Sequence, residues 1–124
     1  MHKIFLFLGS INAFMAVGLG AFGAHALKAK LSPDMLDIYQ TAVKYHALHA
    51  LGLILIGLIL HSIAGSLLNI WAGWLISAGI IIFSGSLYLL SISGVRAWGA
   101  VTPLGGLCFL AGWLLLAIGS LKGI

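Results

Sequence analysis

The sequence YHALHALGLILIGLILHSIAGSLLNIWAGWLISAGIIIFSGSLYLLSISGV occupies residues 45–95 and contains no Lys, Arg, Asp or Glu. Two further uncharged runs cover residues 97–121 and 4–27. A helix needs about 20 apolar residues to cross the hydrocarbon core of a bilayer, so the longest run can supply two crossings and a turn. The chain is therefore predicted to be an all-α, integral membrane four-helix bundle.

The composition argues against a soluble globular domain. Hydrophobic residues make up 62% of the 124 residues and charged residues only 6%, which leaves no polar shell. Four crossings use up a chain of this length, so residues 1–124 are predicted to form a single transmembrane domain. The cations stand at the span ends, which favours contact with lipid headgroups over nucleic-acid binding. They are Lys3, Lys28, Lys30, Lys44, Arg96 and Lys122.

The sequence also predicts where the helices begin. Ser32 is a suitable cap, Pro33 suits the first helical position, and Asp34 and Asp37 lie near the positive end of the helix dipole. The polar and apolar residues that follow alternate with helical period, which predicts an amphipathic interfacial helix before the second span. We expect this helix at about residues 33–43, the spans at about 4–27, 44–61, 68–91 and 102–121, and a small uncharged turn at 62–69.

The first span shares some features with a secretory signal peptide. It has a basic start, an apolar run and the small-x-small sequence Ala24-His25-Ala26, which resembles a cleavage site. The apolar run is long for a signal, however, so we expect a retained transmembrane helix.

An even number of crossings places both termini on the same side of the membrane. Lys28, Lys30, Lys44 and Arg96 fall at the opposite end of the spans from Lys3 and Lys122. Cytoplasmic loops carry an excess of Lys and Arg, so the positive-inside rule favours termini outside the cell in a cytoplasmic (inner) membrane.

Small residues predict where helices pack closely. Ala16, Gly20 and Ala24 recur at four-residue spacing on the first span, and Asn12 continues this stripe toward the N-terminus. Small residues at this spacing allow a second helix to approach, and an amide in hydrocarbon needs a partner. In the third span, Gly85 is expected to permit a similarly close approach.

Several polar side chains are predicted to meet at one end of the bundle. His46 and His49 fall on the apolar side of the second helix and are expected to point inward, close to His25. Three imidazoles from two helices could bind a metal, and one from each helix could ligate haem. Alternatively, the histidines are neutral and hydrogen-bonded and fix the helix register. The same region contains Tyr39, Ser84, Ser86, Tyr88, Arg96 and Thr102.

Catalytic chemistry is not indicated by the residues in the spans. The acidic residues are Asp34 and Asp37, which lie on the polar face of the predicted interfacial helix. A proton-coupled transporter is expected to use an acid within a span, and a Ser-His-Asp hydrolase needs an orienting carboxylate. No catalytic residue or resident metal is therefore predicted, the cofactor is unknown, and the protein is expected not to be an enzyme.

Three stretches together are similar to a known family. They are Gly20-Ala-Phe-Gly-Ala-His-Ala-Leu27, Phe83-Ser-Gly-Ser-Leu-Tyr88, and Thr102-Pro-Leu-Gly-Gly106 followed by Gly112-Trp113. They resemble the small bacterial inner-membrane family known as domain of unknown function 423, which has a relative among animal mitochondrial membrane proteins. The resemblance extends over essentially the whole chain and implies a four-span protein of the cytoplasmic membrane. It implies no reaction, and it suggests a shared site by position at His25, His46, Ser84, Ser86, Tyr88, Thr102 and Pro103.

These observations favour a non-enzymatic membrane scaffold, or a factor for membrane integrity or assembly. Such a protein would pack with membrane lipids, with copies of itself in a homo-oligomer, or with a partner membrane protein. The alternative is a haem, metal or small-ligand site formed by His25, His46 and His49. A weaker alternative is an oligomeric pore or carrier.

Overall fold

A computed structural model describes residues 1–62 and 67–122, and all regular structure in this part of the chain is helical. The α-helices are α1 (His2–Phe22), α2 (Pro33–Ser62), α3 (Leu67–Gly79), α4 (Gly85–Ser93) and α5 (Thr102–Lys122). A π-helical turn, Gly23–Leu27, extends α1, and a second, Ile80–Ser84, joins α3 to α4. A 3₁₀ turn, Arg96–Ala100, precedes α5.

These elements form four helices long and apolar enough to span a membrane, as predicted. The spans are His2–Leu27, Pro33–Ser62, Leu67–Ser93 and Arg96–Leu121. The turn predicted at residues 62–69 lies partly outside the described residues. The four-helix, all-α prediction is therefore confirmed.

Helix α2 begins where its capping residues indicate. The hydroxyl of Ser32 accepts a hydrogen bond from the Met35 N–H at 3.3 Å, and Pro33 occupies the first helical position. Residues 33–43, expected to lie at the membrane surface, form the first turns of the same unbroken helix. Asp34 and Asp37 are exposed there, whereas Tyr39 is buried, so these turns are amphipathic.

Neighbouring spans run antiparallel. The rings of His2 and His61 meet at one end of the bundle, so the beginning of α1 lies beside the end of α2. At the same end, the Asn69 side chain near the start of α3 lies against Gly119 near the end of α5. The beginning of α1 and the end of α5 therefore share one end of the bundle.

The second and third spans are the central ones. A larger share of their residues is buried than in the first and fourth spans. Helix α1 packs mainly against α2, and α5 packs mainly against α3. Apolar side chains from all four spans meet in one core, which contains Phe5, Leu53, Ile56, Ala72, Ile76, Ile80, Phe109 and Leu116.

The predicted small-residue stripe of α1 partly faces α2. Ala16 is buried, and a Cβ placed on Gly20 would lie 3.2 Å from Val43 Cγ1. Ala24, by contrast, is exposed within the chain, so it is not buried against α2. The π-helical turn changes the winding of the helix there, so Gly23 faces the Tyr39 ring of α2 instead.

The close approach predicted at Gly85 is also wrong. A Cβ at Gly85 would meet nothing within 4 Å. The close approach to α5 falls nearby, where a Cβ on Gly105 would lie only 2.7 Å from Phe83 Cα. A methyl group cannot fit at that separation without moving one helix.

This difference makes Gly105 and Gly85 a matched pair for testing the packing. We expect Gly105→Ala to reduce the free energy of unfolding by about 1–3 kcal/mol, because its methyl group overpacks the α5 contact. Gly85→Ala should leave stability unchanged or raise it by up to about 1 kcal/mol, since alanine is the better helix former. Reversible unfolding of the full chain in mixed detergent micelles measures both. Equal stability of the two variants would contradict the packing described above.

Candidate functional site

His46 lies at the centre of a polar network that joins three spans. The Asn12 Nδ2 group of α1 donates to the Leu8 carbonyl at 2.8 Å, so Asn12 Oδ1 remains as the acceptor for His46 Nε2, also at 2.8 Å. His46 Nδ1 then accepts a hydrogen bond from the hydroxyl group of Tyr88, on α4, at 3.0 Å. These partners assign the neutral tautomer with the proton on Nε2, and they use both ring nitrogens.

Tyr39 extends this network toward the end of α1. Its hydroxyl donates to the Leu19 carbonyl at 2.5 Å, and its ring meets that of Tyr88 edge-on with centroids 5.4 Å apart. The Leu19 carbonyl also accepts the backbone N–H of Gly23, so the Tyr39 hydroxyl is its second donor. Tyr39 thereby ties α2 to the end of α1.

His49 forms a second, separate polar contact. Its Nε2 accepts the indole N–H of Trp113, on α5, at 2.9 Å, and its Nδ1 donates to the Tyr45 carbonyl at 2.7 Å. Because an indole nitrogen can only donate, the proton of His49 must lie on Nδ1. The imidazole also stacks on Phe109 with ring centroids 3.5 Å apart. Both nitrogens of this histidine are therefore used as well.

The serines of the third span bond across helices or to their own helix. The Ser84 hydroxyl donates to the Ala42 carbonyl of α2 at 3.0 Å. Ser86 and Thr102 are 2.6 Å apart between their hydroxyl oxygens, and Ser86 also bonds the Phe83 carbonyl at 2.9 Å. These hydroxyls join the third span to the second and fourth spans.

His25 and Arg96 do not join either polar contact. Both are exposed, and within residues 1–62 and 67–122 no three His, Cys, Asp or Glu side chains are grouped closely enough to hold a metal. The expected approach of His25 to His46 and His49 is therefore wrong. His25 lies in the π-helical turn, which leaves Gly23 and Leu27 as the buried positions and directs His25 outward.

Sequence reasoning missed the partner of His49. Trp113 lies in the middle of the fourth span, where an indole N–H has no water to bond. That requirement was the available signal, because a mid-span donor needs an acceptor on a neighbouring helix. In the same way, the amide of Asn12 in the first span indicated that this residue needs a hydrogen-bond partner, which the structure identifies as His46.

This arrangement leaves the two buried histidines no free lone pair. Ligation of a metal or haem by His46 Nδ1 would break the Tyr88 bond, and ligation by His49 Nε2 would break the Trp113 bond. The serine hydroxyls likewise have carbonyl or hydroxyl partners. The chemistry that these groups support is hydrogen bonding between helices.

Comparison with known proteins gives the family. Residues 19–106 match the family described as "Protein of unknown function (DUF423)". The chain belongs to this family. The matched segment contains His46, His49 and Tyr88, together with the hydroxyl pair of Ser86 and Thr102, whereas Asn12 and Trp113 lie outside it.

Bacterial relatives extend this similarity to almost the whole chain. A UPF0382 membrane protein of Staphylococcus epidermidis is 51% identical over 97% of both chains. The UPF0382 membrane protein YwdK of Bacillus subtilis is 46% identical over 97% of this chain and 98% of its own. No solved structure gives a significant match. With four apolar helices and relatives named membrane proteins, the chain is a multi-pass membrane protein.

The hydroxyl of Tyr88 provides a direct test of the His46 network. Tyr88→Phe removes the donor to His46 Nδ1 but keeps the ring, so we expect a loss of about 0.5–2 kcal/mol in the free energy of unfolding. Tyr45→Phe is the matched control, because the Tyr45 hydroxyl bonds no described residue and should change stability by less than about 0.5 kcal/mol. Unfolding in mixed micelles compares the two, and a larger loss for Tyr45→Phe would contradict the network.

Proposed function

We propose that this protein is a non-enzymatic membrane scaffold, which acts through the outer surface of its helix bundle. In this role it packs with lipids, with copies of itself or with a partner membrane protein, and so supports membrane integrity or assembly. The observation that carries the proposal is the use of both nitrogens of His46 and of His49 in bonds between or within spans.

The reactive side-chain types buried in the bundle are engaged in structural bonds. A general base or a nucleophile must be free to reach a substrate, at least in a bound state. Here the buried imidazoles and the hydroxyls of Ser84 and Ser86 all contact other spans or their own backbone. This favours a structural use of the polar interior over turnover.

The outer surface is strongly apolar along the first and fourth spans. In α5, five leucines at helical spacing are each at least 59% exposed within the chain alone. Lipid tails or another transmembrane helix would cover such a surface in the membrane. The exposed side chains of these two spans include Phe7, Phe14, Val17, Leu104, Leu107, Leu110, Leu114 and Leu121.

A groove beside His49 favours a second candidate, the binding of a small apolar ligand. The groove has a volume of about 340 Å³ and is lined by Tyr45, Leu48, His49, Phe83, Gly106, Phe109, Leu110 and Trp113. Its aromatic rings would hold such a ligand by ring contact rather than by ligation, because Trp113 already bonds His49 Nε2. In a membrane, the tail of a lipid can occupy the same groove.

Native mass spectrometry of the full chain, released from mild detergent, separates these functions. For a scaffold we expect oligomers or lipid-bound chains, with the same species in wild type and in His46→Gln. A stoichiometric non-lipid adduct that disappears in Leu48→Trp, which fills the groove, but persists in Leu58→Trp would favour the second candidate. Turnover or transport by purified protein in vesicles, abolished by His46→Ala, would overturn the scaffold proposal and return a carrier or pore to consideration.

We further propose that the protein lies in the cytoplasmic membrane with both termini outside. Lys28, Lys30 and Arg96 are exposed at the end of the bundle opposite the beginning of α1, which supports placing that end in the cytoplasm. Lys44, which is also exposed, adds a cation further along α2, about three helical turns after its beginning.

Reporter fusions test this orientation. We expect alkaline phosphatase joined to the end of the chain to be active, because this enzyme folds only outside the cytoplasm. A green fluorescent protein at the same position should be dark, because it becomes fluorescent only inside the cytoplasm. Since the difference in charge between the two ends is small, replacing Lys28 and Lys30 with glutamine should raise the fraction of inverted molecules. A fluorescent fusion of the wild-type chain would contradict the proposed orientation.

A further inference from the structure

The histidines outside the buried network are not all alike. His25 is exposed on its own, whereas the rings of His2 and His61 lie with their centroids 4.9 Å apart and their planes at 54°. Neither of these two side chains hydrogen-bonds to a residue in the described part of the chain. Their ring nitrogens therefore differ from those of His46 and His49, which are used inside the bundle.

Rigid helices hold this pair together. His2 is the first residue of α1, and His61 follows Gly57 by four positions, on the same face of α2. At Gly57 the helices are in close contact, since a Cβ there would lie 3.0 Å from the His2 carbonyl oxygen and 2.8 Å from Leu6 Cγ. The backbone positions of His2 and His61 are thus set by helix packing and not by a loop.

We propose that His2 and His61 form a two-histidine site for a divalent transition metal ion such as Zn²⁺, at the end of the bundle where α1 begins. With Zn–N bonds of about 2.1 Å and tetrahedral angles, two imidazoles on one zinc ion have their ring centres roughly 5 Å apart. The observed separation of 4.9 Å places both rings close enough to reach one ion by rotation of their side chains. His2 is half-buried and His61 is exposed, so water completes the coordination.

Bound in this way, the metal ion bridges the first and second spans and stabilises their contact. Two imidazoles without a third protein ligand make a weaker site than the three- and four-ligand sites of metalloenzymes, so exchange with the surrounding solution is rapid. The neighbouring Lys3 ammonium is also exposed and lowers the affinity further by repulsion. This metal bridge does not depend on the scaffold role proposed above.

The test is a titration of the full chain in detergent with Zn²⁺, measured by isothermal titration calorimetry. The titration is carried out at pH 7.5, where a histidine side chain is ordinarily neutral. The purification tag is at the end of the chain and contains no histidine, and a chelator removes metal beforehand. We expect one Zn²⁺ per chain, and an affinity weaker by roughly tenfold or more in His2→Ala and in His61→Ala. The control variant His25→Ala should bind like the wild type.

Thermal unfolding supplies a second measurement with the same proteins. Zn²⁺ should raise the unfolding temperature of the wild type and of His25→Ala, but not that of the other two variants, because only a bound ion stabilises the folded state. Variants on two different helices keep the test decisive if one of them folds poorly. The proposal is overturned by a wild type that binds no Zn²⁺, by unchanged binding in His61→Ala, or by loss of binding in His25→Ala.

Discussion

The hydrocarbon core of a membrane contains no water to satisfy a buried polar group, and the arrangement of this bundle depends on that constraint. The chain meets it with hydrogen bonds between spans. Asn12, His46 and Tyr88 connect the first three spans, and His49 with Trp113 connects the second span to the fourth. Each bond can form only when the two helices that it joins are aligned at one position along their axes. Together the bonds therefore fix the register of the spans, which apolar packing alone would specify less strictly.

One described polar atom departs from this rule. Asn69 is 2% exposed, and its Oδ1 atom has no hydrogen-bond partner. Its amide lies against Gly119, where any larger residue would collide with it. The side chain therefore occupies space that a small residue on α5 leaves open, which couples the ends of the third and fourth spans through shape rather than through a hydrogen bond.

Much of the fold could be predicted from the sequence, because its signals are local. Long uncharged runs define the spans, and Ser32 with Pro33 defines the beginning of α2. No comparable local pattern indicates where a helix changes from α-helical to π-helical geometry. The π-helical turns at Gly23–Leu27 and Ile80–Ser84 change which side chains face a neighbour. For this reason a regular helical period predicted burial of Ala24, which is exposed.

The polar residues of the site could be predicted individually, but their pairing could not. A lone amide or indole in hydrocarbon shows that a partner must exist, yet several partners at similar depth satisfy that requirement. Asn12 could have bonded any donor or acceptor on a neighbouring span, and His46 and His49 are only three residues apart on one helix. On the unbroken helix α2 their side chains leave the axis about 60° apart, so His46 reaches α1 and α4, whereas His49 reaches α5. That choice depends on helix crossing, which no local pattern specifies.

The position of each histidine relative to the hydrocarbon decides what its ring can do. In the interior, an imidazole with an unused nitrogen would carry the cost of an unsatisfied polar group, so His46 and His49 engage both nitrogens. At the helix ends water satisfies the ring, so exposed nitrogens carry no such cost and remain accessible to a solute. The same residue type thus serves as a fixed bond between helices at one depth and as an accessible group at another.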